Sequence, residues 1–175
     1  MLIRKFSVFL HATFHTQDRC TQLKQKMHEQ DNPKKVAEIV SKKYNQKGYI
    51  LDFSIESLES EIDKILEKEI PKDWVESAKL ESELTAYIGE AICQLFDAKW
   101  KGEYYLENSG MNFYTCKIVK NGFEFGPSHF IGYYLSNGKE SEGSFKEYLY
   151  SRDYSKGIFK DFLGGGLINK INVNK

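Results

Sequence analysis

The chain has 175 residues and is 41% hydrophobic, so it is long and apolar enough to bury a core as a single domain spanning residues 1–175. Its 25 basic residues balance 25 acidic ones, which excludes a whole-chain attraction to nucleic acid or to a membrane surface. The cysteines, Cys20, Cys93 and Cys116, are odd in number and lack a CxxC pair, so we expect reduced thiols and no zinc site. No stretch approaches the roughly 18 apolar residues of a membrane span, and the N-terminal FSVFL run is too short for a signal peptide, so we expect a cytoplasmic protein.

The N-terminal half of the chain is predicted to be mainly helical. Residues 5–29 favour a long amphipathic helix, because apolar side chains there recur at steps of three and four. Asn32 followed by Pro33 is typical of a helix start, and Gly48 is placed to end that helix. Residues 49–53 form a short apolar run, which predicts a strand.

Two further helices are predicted in this half. Ser54 can cap the start of the first of these helices, and Pro71 ends it. The second is the strongest periodic signal in the chain, and we name it the central helix; Asp73 or Ser77 opens it, and it runs towards Trp100. Its apolar sector is broad, which indicates a helix wedged between other elements. That sector consists of Leu80, Leu84, Ala86, Tyr87, Ile88, Ala91, Ile92, Leu95 and Phe96.

Three residues of this segment bear on packing. Gly89 costs about 1 kcal/mol relative to alanine in a helix, and we expect it to let another backbone approach closely. Trp100 is interpreted as a cap on the core, because indole is large and mostly apolar. Glu90 is interpreted as a solvated helix residue. Two alternatives remain: a buried acid that is bonded to an amide or a tyrosine, and a functional acid.

Residues 101–126 are predicted to form β-hairpins. Strand-like runs at 104–107, 111–120 and 123–125 are separated by turn signals. The better signal is Asn121-Gly122, because a two-residue hairpin turn needs positive φ at both positions and this pair tolerates it.

Short helices are predicted over residues 127–163. The first is ended by Gly138, and Ser144 with Glu147 makes a capping box for the next one. Residues 164–175 are glycine- and asparagine-rich, which favours a flexible tail.

The sequence therefore predicts an α+β fold. A helical N-terminal half, residues 1–100, packs on a small antiparallel β-meander, and short C-terminal helices follow. No internal repeat and no linker divides the chain into two domains.

Charge is unevenly distributed along the first half. Residues 19–47 carry eight basic and three acidic side chains, whereas residues 52–76 carry nine acidic side chains and three lysines. Two solvated helix faces are the simpler interpretation, since exposed ion pairs contribute at most about 1 kcal/mol. The alternative interpretation, which assigns a function to this charge, is a surface that attracts an oppositely charged partner. Its candidate residues are Glu56, Glu59, Asp63 and Glu67.

No catalytic or metal-binding set emerges from the sequence, and we expect no cofactor. His11 and His15 have the spacing of a zinc-protease helix, but Ala12 stands where the acid should follow, and no third ligand is evident. Cys93 and Cys116 lie in apolar contexts that favour inert core thiols over nucleophiles paired with His129.

Tyrosines crowd the second half of the chain. Tyrosine offers wide contact area at little entropic cost, together with a hydroxyl that can form a hydrogen bond. We therefore expect Tyr104, Tyr114 and Tyr133 to contribute to a protein-binding surface. Nucleic acid is not expected there, because acidic residues are as common as lysines around the hairpins.

The run ELTAYIGEAICQLFDAKW, followed by FYTCKIVKNGFEFGPSHFIGYYL, resembles small bacterial domains, some of which are similar to immunity proteins of polymorphic toxin or contact-dependent inhibition systems. The resemblance covers roughly residues 80–140 and is a style of helix followed by meander, without an invariant motif. It implies a cytoplasmic protein that binds a cognate toxin and blocks it. If that toxin were a nuclease with a basic site, the acidic helix would be its counterpart.

Two alternatives to this hypothesis remain open. A small enzyme would assemble its site from scattered residues, for which Glu90, His129 and Tyr133 are the candidates. A structural or oligomerisation role is the other, since the long first helix could pair with a second copy of the chain.

Overall fold

A computed structural model describes residues 33–102, 105–107, 110–112, 116–120 and 123–150. The predicted helix at 5–29 and the predicted tail at 164–175 lie outside these residues. So do Tyr104 and Tyr114, two of the tyrosines assigned to a binding surface.

Helices dominate the first part of the described chain, as predicted. They are α1 (Pro33–Asn45), α2 (Ile55–Lys68), α3 (Trp74–Phe96), α4 (Pro127–Asn137), α5 (Lys139–Glu142) and α6 (Phe145–Tyr150). The central helix of the sequence analysis is α3. The single-turn helix α5 was not predicted.

Polar side chains at the helix starts explain why the boundaries could be predicted. Ser54 and Asp73 each accept a hydrogen bond from the amide three residues further on, at 3.0 and 2.9 Å, and so cap α2 and α3. Ser144 and Glu147 form the predicted capping box, in which each side chain accepts from the other's amide.

The strands form two small antiparallel sheets. They are β1 (Lys99–Lys101), β2 (Tyr105–Glu107), β3 (Gly110–Asn112), β4 (Lys117–Lys120) and β5 (Phe123–Phe125). One sheet has the order β1-β4-β5, and β2 pairs with β3 in the other. The α+β fold class is thus confirmed.

The strands differ from the sequence-based expectation in detail. The run 111–120, predicted as one strand, contributes β3 to one sheet and β4 to the other. Strand β1 was not predicted, and it pairs Trp100 with Ile118 of β4. Its Lys-Trp-Lys sequence is too short to show an alternating pattern, and the pairing with a distant strand defines it.

The central helix is enclosed by the other elements. Every residue from Leu84 to Ile92 is buried, and α3 packs against α1, α2, α4 and the strands β1, β3 and β4. Each leucine or isoleucine side chain buried in this way contributes about 1.5–3 kcal/mol of hydrophobic free energy. The broad apolar sector of the sequence is therefore matched by neighbours on several sides, as predicted.

Gly89 makes room for an indole ring. A Cβ atom at this position would lie 2.2 Å from two ring carbons of Trp100 and 3.0 Å from Ile118 Cδ1. The close neighbour is thus a side chain of β1, and the expectation of a close backbone was wrong in this respect. Trp100 is partly buried against the core, in agreement with its predicted role.

Residues 49–53 do not form the predicted strand. Their backbone is bonded to side chains of the surrounding helices, so the segment needs no partner strand. The bonds run from the Ile50 amide to Glu61 at 3.2 Å, from the Leu51 amide to Asn45 at 2.7 Å and from the Phe53 amide to the Tyr87 hydroxyl at 3.0 Å.

Substitution of Gly89 by alanine tests the contact with Trp100. Alanine adds about 1 kcal/mol of helix propensity, but the new methyl group overlaps the indole ring, and overpacking of this kind typically costs about 1–3 kcal/mol. We expect Gly89→Ala to lower the free energy of unfolding by about 1 kcal/mol, the difference between these two terms, in urea titrations followed by circular dichroism.

Gly132→Ala is the matched control, since Gly132 also lies inside a helix. Its Cβ would lie 3.3 Å from Glu81 Oε1, the mobile end of a side chain that can move aside. We expect this variant to be unchanged or slightly more stable. A Gly89→Ala protein as stable as Gly132→Ala would contradict the packing described for Trp100.

Candidate partner-binding site

The acidic residues predicted to bind a partner lie on α2, at steps of three and four that place them along one side of the helix. Glu56, in the first turn, is exposed, and within the described part of the chain its carboxylate forms no ion pair. The other three are bonded to the C-terminal segment of the described chain.

Asp63 and Glu59 hold helix α6 against α2. The carboxylate of Asp63 accepts hydrogen bonds from the amides of Phe145 and Lys146, at 2.6 and 3.2 Å. These are the first two amides of α6, and Ser144 caps the third, so the orphan donors of this short helix are satisfied. Glu59 lies 3.3 Å from the Lys146 ammonium.

Glu67 forms an ion pair with Lys139 of α5, with 2.5 Å between the carboxylate and the ammonium. Burial raises the pKa of the Asp63 carboxyl, although its bonds to the two amides act in the opposite direction. Much of the negative charge of α2 is therefore compensated inside the chain. That these acids bind a basic partner stays a prediction, with Glu56 as the member most open to contact.

The candidates for a catalytic set have different environments. Glu90 is buried, and it accepts hydrogen bonds from Gln94 Nε2 at 3.0 Å and from the indole of Trp100 at 3.4 Å. The interpretation of Glu90 as a solvated residue was therefore wrong, and the alternative of a buried, bonded acid describes it. His129 is exposed, and so is Tyr133 on α4, at 61%.

The two described cysteines have apolar surroundings. Burial and, to a smaller extent, the charge of Glu90 raise the pKa of Cys93 to about 12. Burial also raises the pKa of Cys116 to about 11. Thiols with such pKa values are protonated at neutral pH, so they are poor nucleophiles.

A cleft that the sequence analysis did not identify lies between α1, the loop that joins α2 to α3, and the first half of α3. It encloses about 380 Å³. Its wall contains five lysines, three glutamates and four other residues: Lys43, Lys47, Lys68, Lys72, Lys79, Glu69, Glu76, Glu83, Tyr44, Ile70, Pro71 and Leu80.

Two of the lysines in the cleft are compensated by carboxylates. Lys43 lies 2.6 Å from Glu83, which also accepts a hydrogen bond from the Tyr44 hydroxyl at 3.1 Å. Burial, together with the charge of Glu83, raises the pKa of Tyr44 far above its ordinary value. Lys47 forms an ion pair with Glu69. The first pair joins α1 to α3, and the second joins the turn after α1 to the loop between α2 and α3.

The other lysines leave a surplus of positive charge. Lys68, Lys72 and Lys79 are exposed, and none of them forms an ion pair with another described residue. Glu76 is the acid that faces them, and it accepts a hydrogen bond from the backbone amide of Lys72 at 2.9 Å. The cleft is therefore positively charged along its α2–α3 side.

Large apolar side chains stand beside this cleft. Ile70 is 76% exposed and lies in its wall, next to Pro71. Trp74 is 72% exposed and is the first residue of α3, between the lining residues Lys72 and Glu76. A tryptophan in the polar run PKDWVES was the one sequence signal of this surface, since periodicity assigns it no place in the core.

No protein-family model, no curated protein and no solved structure matches this chain. None of the helices in the described ranges is both long and apolar enough to cross a bilayer. Within the same ranges, no three His, Cys, Asp or Glu side chains are grouped so that they could hold a metal ion. The exposed side chains of Ile70 and Trp74 and the adjacent cleft form the candidate site, which we name the Trp74 surface.

Removal of the Asp63 carboxylate tests its structural role. Asp63→Ala leaves the first two amides of α6 without their acceptor, and loss of a capping side chain costs about 0.5–2 kcal/mol. We expect the free energy of unfolding to fall by about 1 kcal/mol in urea titrations. Glu38→Ala, at an exposed position in the middle of α1, should change it little, and an equal effect of the two substitutions would contradict the cap.

The thiol environment can be tested by alkylation in a Cys20→Ser background. Because the pKa values of Cys93 and Cys116 are about 12 and 11, little thiolate is present at neutral pH, and iodoacetamide should react slowly with the native protein. Reaction in urea should be faster. Native and unfolded chains that react at equal rates, followed by mass spectrometry, would contradict the described burial.

Proposed function

We propose that the chain is a protein-binding module, and that it binds and neutralises a cognate bacterial toxin in the cytoplasm by occluding the toxin's active site. The observation that carries the binding role is the exposure of Trp74 and Ile70, at 72% and 76%, on one short stretch of chain beside a cleft. Tryptophan is among the residues that contribute most binding energy at protein interfaces.

The energetic consequence of this exposure favours a partner. Full burial of an aromatic or large aliphatic side chain contributes about 1.5–3 kcal/mol. Trp74 contributes little of this free energy to folding, because its side chain, in the first turn of α3, is exposed. An interface centred on these two side chains would recover it.

The environments of the candidate catalytic residues favour binding over catalysis. Glu90 is buried and bonded to Gln94 and Trp100, and it does not line the described cleft; nor do His129 and Tyr133. An enzyme site needs its acid, base and substrate pocket within hydrogen-bond reach of one another. The cleft instead combines lysines with apolar side chains, which suits recognition.

The choice of a toxin as the partner rests on the resemblance of residues 80–140 to immunity proteins. A nuclease toxin was the most concrete version of that hypothesis, with the acids of α2 facing its basic site. Since Glu59, Asp63 and Glu67 are already bonded within the chain, we place the main contact at the Trp74 surface. Glu56 and Tyr133, which the sequence also predicted to bind a partner, do not line this cleft.

Capture of the product of the adjacent reading frame tests the proposal. We expect the purified chain to retain this protein and to block its toxicity in cells. Recovery of no neighbour-encoded protein, while the chain is folded by circular dichroism, would contradict the toxin-binding role. A chain that instead captures only its own copies would support the oligomerisation alternative.

Trp74→Ala should weaken this capture by about tenfold or more, because truncation of a central interface tryptophan costs about 2 kcal/mol or more. Isothermal titration calorimetry measures the effect, and the free energy of unfolding should change little, since Trp74 is exposed. Tyr133→Ala is the matched aromatic control on α4. A loss of affinity in Tyr133→Ala alone would move the interface to α4.

A further inference from the structure

We infer that the cleft beside Trp74 recognises an acidic segment of the partner protein, in which carboxylates flank an apolar side chain. This inference rests on the proposed protein-binding function and specifies the chemistry of the segment that is bound. Three features of the cleft carry it: its uncompensated lysines, its apolar wall and its size.

The lysines supply the first feature. Lys68, at the end of α2, Lys72, in the loop, and Lys79, in the second turn of α3, reach the same cleft from three successive parts of the chain. No described carboxylate pairs with their ammonium groups, so their charge is available to an incoming acid. Carboxylates that approach three such groups are attracted before contact, which raises the association rate.

The apolar wall supplies the second feature. Ile70, Pro71 and Leu80 line the cleft together with these lysines. Leu80 is already buried in the core, but a purely ionic ligand would leave Ile70 and Pro71 uncovered, whereas an apolar side chain between two carboxylates would cover them. Exposed ion pairs contribute little binding free energy on their own, so the apolar contact is needed for useful affinity.

The size of the cleft limits what can enter. Its volume of about 380 Å³ is near the lower end of the range for ligand pockets, about 300–1,000 Å³. It suits one or two side chains of an extended segment, while the remainder of that segment passes over the rim. Trp74, whose side chain is exposed beside the cleft, is then available to contact the bound segment.

Nucleic acid would fit this cleft less well. Glu69, Glu76 and Glu83 line it as well, and a phosphate backbone would meet these carboxylates over much of its path. Single-stranded nucleic acid is typically bound by several aromatic rings on which successive bases stack, whereas Trp74 is the exposed ring described beside this cleft, and Tyr44, in its wall, is only 2% exposed. An acidic peptide can place its few carboxylates at the three lysines alone.

Binding of a synthetic peptide tests the inference without the toxin. The probe is a fluorescein-labelled peptide in which glutamate alternates with leucine, and its anisotropy is followed at low ionic strength, where screening is weak. We expect saturable binding to the full chain and weaker binding as salt is added. The same peptide with glutamine in place of glutamate should bind at least about tenfold more weakly.

Charge-reversal variants locate the binding. Lys72→Glu combined with Lys79→Glu should weaken peptide binding by about tenfold or more. Lys34→Glu combined with Lys99→Glu makes the same change in net charge at exposed lysines outside the cleft, and it should leave binding nearly unchanged. Circular dichroism checks that both proteins are folded.

The outcomes separate this inference from the proposed function. Equal binding of the glutamate and glutamine peptides, equal effects of the two double variants, or tighter binding of a labelled single-stranded oligonucleotide would each overturn the acidic-segment inference. Capture of the neighbour-encoded protein would be unaffected by those results. Absence of capture together with specific peptide binding would overturn the toxin role and leave the acidic-segment site in place.

Discussion

Complete burial of the middle of α3 is the constraint on which the rest of the structure depends. A helix that is apolar over so wide a sector cannot lie on a surface, so helices and strands must cover it on several sides. Nine consecutive buried positions, from Leu84 to Ile92, leave no room there for a charged group without a partner. Glu90, the one carboxylate in this stretch, is accordingly bonded to Gln94 and to Trp100.

Because the middle of α3 is buried, the polar interactions discussed next lie at the two ends of the helix. At the C-terminal end, α3 has no basic residue in its last turn, and Lys120 of β4 donates to the carbonyl of Phe96 instead. A cation near a helix C-terminus is favourable because of the helix dipole. At the N-terminal end, Trp74 and Lys79 face solvent, and the cleft opens beside them. The candidate site thus lies at the end of α3 that other helices and strands do not cover.

Local signals in the sequence predicted most helix boundaries, because the residues that define them act on their own neighbours. Ser54, Asp73 and the Ser144–Glu147 pair bond to amides within three residues, and Gly138 ends α4. Strand β1 and the site could not be predicted in this way, since both depend on contacts between distant parts of the chain. The burial of Glu90 likewise follows from Trp100, ten residues away.

Charge counting along the sequence identified the acidic helix α2 but could not say which charges are compensated. Glu59, Asp63 and Glu67 bond to residues about 70 to 90 positions later, where local patterns carry no information. Charge counting assigned Lys68 and Lys72 to no basic surface, since they lie in a stretch with an acidic total. Surplus charge at a surface is what remains after such pairings, and only the folded chain reveals it.

The segment 49–53 has no regular secondary structure, yet it is anchored to the centre of the molecule. Tyr87, on the buried part of α3, holds the Phe53 amide through its hydroxyl and also contacts Ser57 Oγ at 2.5 Å. Hydrogen exchange at the Phe53 amide should therefore report on opening of the core, because local fraying cannot release that bond while the ring stays buried. An irregular segment of this kind is thus tied by its hydrogen bonds to the helices around it.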